Sequence, residues 1–360
     1  MKAIEYALAS CETLMKKFAP EDLPPKGRFH YHQGVFLSGV LNTYRITKDE
    51  RLFEYIKGWV DSCLDENGEP THFDLSWLDD MQPGILLFDL YEKTKNPVYK
   101  RLLDKIIVYS KDLKKNPEGG FWHKGELPHQ MWLDGMYMGG GVMTKYAVEN
   151  GLDELLDTVY LQMKLMNKHN KDEKTGLYYH AWDYSKKEDW ADAQTGRSGY
   201  FWGRALGWYV VAMFEIADLL PENDKRRVDF IESGIALVNA LLKYQDAESG
   251  MWYQIVDRTD DERNWTEVSC SCLILYAMCI AVRIGALDKE EMRGVITKCY
   301  QGVIDTLNIE GDYIGVRKVC VGTNVGDYEF YLNRPTSEND LHGVGAFLLA
   351  VAEYSKVYED

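Results

Sequence analysis

No stretch of the 360-residue chain is long and apolar enough to span a membrane as a helix. The opening MKAIEYALASCETLMKKFAP is not a secretion signal, because Glu5 interrupts its apolar run. Ile4, Leu8, Cys11, Met15 and Phe18 mark one helical face there instead. Positive charge is in deficit: 41 Lys and Arg stand against 57 Asp and Glu, a net charge of −16. Such a chain repels nucleic acid and anionic membranes, so neither is expected as a partner. The 7 cysteines are odd in number and most lie inside apolar helical stretches, which reads as free, reduced thiols in a cytoplasmic protein. Cys270 and Cys272 form a CxC without a second pair at ligand spacing, so no zinc site is read from them. Walker, dinucleotide, HExxH and GxSxG signatures are all missing. GDYIGVRKVCVGTNVGD is rich in glycine but lacks the phosphate-loop lysine pattern.

Strong strand signals are also sparse; helices dominate, and they come in two kinds. QGVFLSGVLNTYRI, PGILLFDLYEKT, GMYMGGGVMTKYA, GRALGWYVVAMFEIA, CSCLILYAMCIAVRIG and GVGAFLLAVAEY are apolar on nearly every side, the mark of a helix buried all round. Residues 2–19, RLFEYIKGWVDSCL, PVYKRLLDKIIVYSKDL, LDELLDTVYLQMKLMNKH, KRRVDFIESGIALVNALLKY and KEEMRGVITKCYQGVIDTL are amphipathic and bury one face. The kinds alternate strictly, with Gly34, Gly84, Gly139, Gly203, Cys272 or Gly345 near the start of each buried helix, at a spacing that signals a repeat architecture. Six buried and six half-buried helices predict an all-α (α/α)6 barrel, an inner ring inside an outer ring, as one domain over residues 1–360.

The turns from buried to amphipathic helix are short: TKD, TKNP, ENG, LPEND and GALD, with Asn96-Pro97 as an N-cap and first helical position. The returning turns are long: 20–32, 66–80, 117–134, 170–200, 245–267 and 309–340. All long loops therefore gather at one end, where sites form on rigid scaffolds. Three of them, GGFWHKG, GLYYHAWD and GMWYQIVD, run Gly, then aromatics, then a polar residue, and are expected to form short strands or hairpins facing the mouth.

Asp134 enters the third buried helix amid Met131, Trp132, Met136 and Met138. It is either an N-cap or a catalytic carboxylate, its pKa pulled down by the helix dipole and up by desolvation. Asp79 and Asp80 hold the matching place before the second buried helix. Two carboxylates reaching one mouth from adjacent loops suit glycoside hydrolysis. Seven of the 8 histidines lie in or beside the long loops. His30, His32, His123, Lys124, His180, Arg197 and Arg204 give a positive mouth on an acidic protein, which favours an anionic small molecule. His72 and His129 read as surface or capping residues. Trp132, Trp182, Trp202, Trp208 and Trp252 could stack on sugar rings, with Trp208 also placed to be core.

PHQMWLDGMYM, GGFWHKG, LYYHAWD, FWGRALGWYV and ENDLHGVGAFLLAVAEY resemble the unsaturated rhamnogalacturonyl hydrolases, glycoside hydrolase family 105, and more distantly the unsaturated glucuronyl hydrolases of family 88. The resemblance runs from FHYHQGVFLSG to the C-terminus. It implies an (α/α)6 barrel and hydration of the C4=C5 enol ether that a polysaccharide lyase leaves on a non-reducing-end uronic acid. It implies Asp134 as general acid and base, Asp79 rather than Asp80 as the second carboxylate, and Tyr31, His32, His123, Lys124, Trp132, His180, Trp202, Arg204 and Trp208 around the sugar, with Asn324 in a loop that aligns less well. By charge, Lys124 and Arg204 fall to the substrate carboxylate or nearby hydroxyls. No metal or organic cofactor is implied. Two other readings stand beside it: an inverting glycosidase using Asp79 and Asp134 on saturated glycosides, and a sugar-binding protein without catalysis.

Overall fold

The two kinds of helix separate into two concentric rings in the computed structural model, which describes residues 1–71, 73 and 76–359. His72 lies outside the described residues. The outer helices are α1 (Ala3–Lys17), α3 (Glu50–Ser62), α5 (Pro97–Asp112), α7 (Asp153–His169), α9 (Lys225–Leu241) and α11 (Lys289–Asp305). The inner ones are α2 (Tyr31–Thr47), α4 (Leu86–Thr94), α6 (Asp134–Asn150), α8 (Gly203–Leu219), α10 (Val268–Arg283) and α13 (Leu341–Tyr358). A short α12 (Tyr328–Leu332) sits in the last long loop. The expected (α/α)6 barrel is therefore present.

Burial follows the patterning. Residues 203–214 of α8 and 268–282 of α10 are buried without interruption. On α3, Leu52, Phe53, Tyr55, Ile56, Trp59 and Val60 are buried at helical spacing, while the charged residues between them face outward. Each such side chain contributes roughly 1.5–3 kcal/mol when fully removed from water. The inner ring runs α6 on α8, α8 on α10 and α10 on α13, and closes where α13 packs on α2. Glycine permits that closure: a Cβ on Gly345 would lie 2.4 Å from the Val35 carbonyl of α2, and one on Gly39 would lie 2.5 Å from Leu348 Cβ. The outer wall closes alongside it, with α1 packed on α13 and the Ala3 N–H donating to the Glu359 carboxylate.

The short turns work through left-handed residues. Lys48, Lys95 and Gly151 end α2, α4 and α6 at φ 57°, 55° and 65°. After Lys48 and Lys95 the next helix is capped by a side chain, with Asp49 accepting from the Arg51 N–H and Asn96 from the Val98 N–H, the latter as expected, whereas α7 after Gly151 has no side-chain cap. The second inner helix departs from the pattern. Its α-helical part begins only at Leu86, preceded by 3-10 turns at Leu78–Asp80 and Gln82–Ile85, because Pro83 lacks the N–H that an α-helical turn needs.

The loop end carries a repeat of its own, less visible in the sequence. After α3, α5, α7 and α9 come Asp65, Asn116, Asp172 and Asp246. Each turns the chain by accepting nearby backbone N–H groups, and a glycine follows at φ 79°, 90°, 80° and 70°. The chain then returns as an extended segment bridged back to the helix end at Lys115–Phe121 and Lys171–Tyr178. The hairpins expected from the Gly-aromatic theme thus exist, organised by the Asx turn that precedes each.

Candidate active site

A two-stranded ladder sets the central pair. β1 (Gln130–Trp132) pairs antiparallel with β2 (Ala181–Asp183), with Trp132 opposite Ala181. Extending this register by one residue brings the Leu133 N–H to the His180 carbonyl at 3.0 Å. Asp134, the next residue, opens α6 and faces His180, whose Nε2 is 3.3 Å from Asp134 Oδ2. The capping alternative fails: Leu133 is the N-cap, and no side chain caps the helix.

His180 is fully buried, and its Nδ1 lies 2.8 Å from the Tyr331 hydroxyl. That hydroxyl accepts the Gly326 N–H at 3.3 Å, so its own proton is available to donate to Nδ1. His180 then carries its hydrogen on Nε2, pointed toward Asp134. The reverse tautomer would set a lone pair against a carboxylate. Tyr331 therefore fixes the imidazole that faces the acid. Sequence reasoning missed it, because α12 sits inside a long irregular loop with no periodicity to single it out.

Asp79 is held from the neighbouring loop. His123 Nε2 is 3.2 Å from Oδ1 and Lys124 Nζ is 3.4 Å from Oδ2. Backbone bonds align the two loops: the Leu78 N–H donates to the His123 carbonyl, and the His123 N–H to the Gln130 carbonyl. Asp80 turns elsewhere, 3.7 Å from Arg28 and 4.0 Å from His30. Of the two acids, Asp79 is thus the one that joins the cluster.

Electrostatics weigh burial against the neighbouring imidazoles and ammonium. Burial alone would raise both carboxyls. His123 and Lys124 override it at Asp79, holding it well below the usual carboxylate range. His180 and His123 override it at Asp134, lowering it despite its apolar neighbours and the opposing Asp79 charge. Burial in turn lowers His180, so its neutral form is favoured. Both acids are therefore biased toward their ionised forms.

The tryptophans divide. Trp132 is buried, stacked on His123 with centroids 4.4 Å apart and meeting His180 edge-on at 5.4 Å, so it spaces the two imidazoles instead of lying open to a sugar. Trp202 is also buried, 4.5 Å from His180 and under the Arg204 guanidinium. Trp208 stacks on Tyr137 in the core, one helical turn below Arg204. Trp182 stacks flat on His169 and donates to the Thr195 carbonyl, and Trp252 donates to the Leu241 carbonyl. Both are packing residues, contrary to their expected role as sugar platforms. Trp77, which the sequence reading passed over, lies only partly buried between the Lys124 ammonium at 4.3 Å and the Arg28 guanidinium at 5.1 Å.

Arg204 is almost fully buried and donates from Nη2 to the Val321 carbonyl and from Nη1 to the Cys320 carbonyl. The Glu267 carboxylate, N-cap of α10, accepts the Cys320 N–H at 2.9 Å. Both backbone groups of Cys320 are thus anchored, and the loop beyond is pinned above α8 and α10. Arg204 serves this scaffold as well as placing positive charge near Asp134. Tyr31 and His32 open α2 beside the cluster, and Asn324 stands exposed in the loop that Arg204 anchors. Arg197 donates from Nε to the His169 carbonyl and lies over the Tyr179 ring. The seven cysteines are buried and unpaired, as expected.

An (α/α)6 barrel with paired, imidazole-backed carboxylates at its loop end has the layout of a glycoside-processing enzyme. Comparison with known proteins is specific: the chain belongs to Glycosyl Hydrolase Family 88, whose model matches residues 6–358. It is similar to a family 105 glycoside hydrolase of C. acetobutylicum ATCC 824, with a TM-score of 0.93, 33% identity and coverage of 98% of this chain and 99% of that one. It is 28% identical to the unsaturated rhamnogalacturonyl hydrolase YesR of Bacillus subtilis (strain 168), over 77% of this chain and 81% of the relative. The unsaturated glucuronyl hydrolase of Bacillus sp. GL1 shares the fold, with a TM-score of 0.73 at 16% identity over 97% of this chain and 95% of that one. The chain is therefore a glycoside hydrolase. Among the described residues no helix is long and apolar enough to cross a membrane.

Proposed function

We propose that this enzyme removes a Δ4,5-unsaturated galacturonyl residue from the non-reducing end of rhamnogalacturonan oligosaccharides, and that Asp134 carries the proton. The observation that supports this most is the Asp134–His180–Tyr331 chain beside Asp79, two acids with separate cationic or imidazole support. Similarity to YesR supports rhamnose as the sugar beyond the cleaved bond.

The anionic sugar displaces water and adds its carboxylate charge, which raises the Asp134 pKa and loads the proton. Asp134 gives that proton to C4, and positive charge spreads over C5 and the ring oxygen. Water bonds to C5 as Asp134 takes its proton back. The resulting hemiketal breaks its C5–O bond to a ketone. C1 is left as a hemiacetal, which expels the aglycone. Asp79, held ionised, stabilises the positive charge at C5. Lys124 pairs with the substrate carboxylate or a neighbouring hydroxyl, while Tyr31, His32, Trp202 and Asn324 surround the sugar. The chemistry needs no metal, and the anionic oligosaccharide is the expected partner.

The test is a disaccharide of Δ4,5-unsaturated galacturonic acid linked to rhamnose, followed by its ultraviolet alkene absorbance. Loss of absorbance together with released rhamnose is expected. Cleavage of the saturated disaccharide at a similar rate would replace this reading with an inverting glycosidase.

A further inference from the structure

His32, Asp340 and His342 offer three ligand atoms that all lie within 4.8 Å of one another. His32 stands at the start of α2, while Asp340 and His342 stand at the start of α13, so the group straddles the seam where the inner ring closes. The hydrogen bonds around it determine where the ring protons are.

His342 Nε2 is 3.1 Å from the Cys320 carbonyl, which can only accept, so Nε2 carries hydrogen. Its Nδ1 is fully buried and 2.7 Å from Asp340 Oδ1, and any proton between the two is one that a bound cation would displace. On the other side, His30 Nδ1 accepts the His32 backbone N–H at 3.4 Å. It also faces His32 Nδ1 at 3.0 Å, so the hydrogen between those rings belongs to His32. His32 Nε2 is thereby a lone pair, 3.9 Å from the same Asp340 oxygen. Asp340 occupies the N-cap position of α13, where Asp is a preferred capping residue, yet its side chain makes no capping bond. It turns to the two imidazoles instead.

Two imidazole nitrogens and a carboxylate thus converge, and the other nitrogen of each ring faces away from the group. Each ring's remaining N–H is also spent on a fixed acceptor, the arrangement that outer-shell partners give to metal-ligating histidines. A tetrahedral ion with bonds of about 2.0–2.1 Å needs ligand atoms about 3.4 Å apart, within the span found here.

We propose that His32, Asp340 and His342 bind one divalent transition-metal ion, with zinc the best match, as a clasp between the first and last inner helices. The choice of ion follows from the donor atoms: calcium and magnesium take sets of oxygen ligands, whereas two imidazoles with one carboxylate suit zinc and its neighbours. Side-chain exposures of 22% for His32 and 19% for Asp340 leave an entry path. The ion takes no part in the proton transfers proposed above, although His32 is shared with the sugar site, and the inference does not depend on that reading.

The test uses tag-free full-length protein, stripped with EDTA and titrated with Zn2+ by calorimetry and with Co2+ by its visible bands. One ion per chain is expected, with a rise of several degrees in Tm at saturating Zn2+. His342→Gln, Asp340→Asn and His32→Gln should each weaken binding at least about 100-fold. His30→Phe, which removes no ligand, should weaken it about 10-fold by releasing the His32 ring. His342 is wholly buried, so if its variant does not fold, His32→Gln decides. Folded wild-type protein that binds neither ion, or binds equally well after His32→Gln, would overturn the site and leave His342 as an imidazolium paired with Asp340.

Discussion

At the loop end of the barrel three carboxylates of the mouth each have an imidazole or ammonium group against them; at the opposite end Glu215 does not. Asp79 faces His123 and Lys124, Asp134 faces His180, and Asp340 faces His342. The short-turn end holds a cavity of about 180 Å³ on the barrel axis, lined in part by Arg45, Lys145, Glu215, Arg283 and Glu353. There Glu353 is clamped by Arg283 and Lys356, while Glu215 accepts the Tyr276 hydroxyl at 2.9 Å and, among the described residues, forms no ion pair. Burial accordingly pushes Glu215 up to about 7. The same depth in the same scaffold gives opposite outcomes, and the partner decides. At the mouth the partners orient the acids and bias them toward their charged forms. At the far end an acid is left to titrate with no reactant to use it.

The sharpest way to break this contrast is Asp134→Asn. It should lower turnover of the unsaturated disaccharide by about 10³-fold or more with unchanged Tm, measured from alkene absorbance. Near-normal turnover would remove Asp134 from the chemistry. His180→Gln comes next, with a fall in kcat of about 10–100-fold. Since His180 lowers the Asp134 pKa, its loss raises it, and the alkaline limb of the pH profile should move to higher pH. A purely structural His180 would lower the profile without moving it. Tyr331→Phe keeps the ring and loses the proton that fixes His180. A loss of about 3–10-fold in kcat with little change in KM is expected, corresponding to about 1 kcal/mol for one hydrogen bond.

The smallest effect lies at the far end. Glu215 has a folded pKa of about 7 against an ordinary 4.5. Between those values the folded chain keeps a proton that the unfolded chain has lost, so this contribution falls as pH rises and is fully unfavourable above about 7. Glu215→Gln should therefore stabilise the protein by about 1–3 kcal/mol near pH 8 and change it little near pH 5, read from Tm at both. An equal effect at both pH values would show that the acid does not titrate there.

Periodicity made the barrel legible. α8 and α10 are apolar all round because they are buried all round, and the alternation with half-buried helices dictates two rings. Asp134 was legible as an acid in apolar company. Its bias toward the ionised form was not, because His180 comes 46 positions later and only the β1–β2 register joins them. Trp182 and Trp252 misled because an aromatic in a loop can point down into the core as readily as out toward a ligand. Their indole nitrogens find backbone carbonyls there. Tyr331 and the Asp340–His342 pair act on partners up to about three hundred residues distant, beyond the reach of any local pattern.

The packing of α13 on both α1 and α2 has a consequence for synthesis. Roughly three hundred residues separate the end of α2 from the start of α13, so at about 5–20 residues per second the ribosome needs on the order of 15–60 s to make them. For that interval the face of α2 that will receive α13 has no permanent cover. Gly39 and Val35, placed for close approach, are then part of an open apolar groove on a nascent chain. The last helix to emerge is the one that seals it, and a chain stalled before residue 341 is an obvious client for a chaperone.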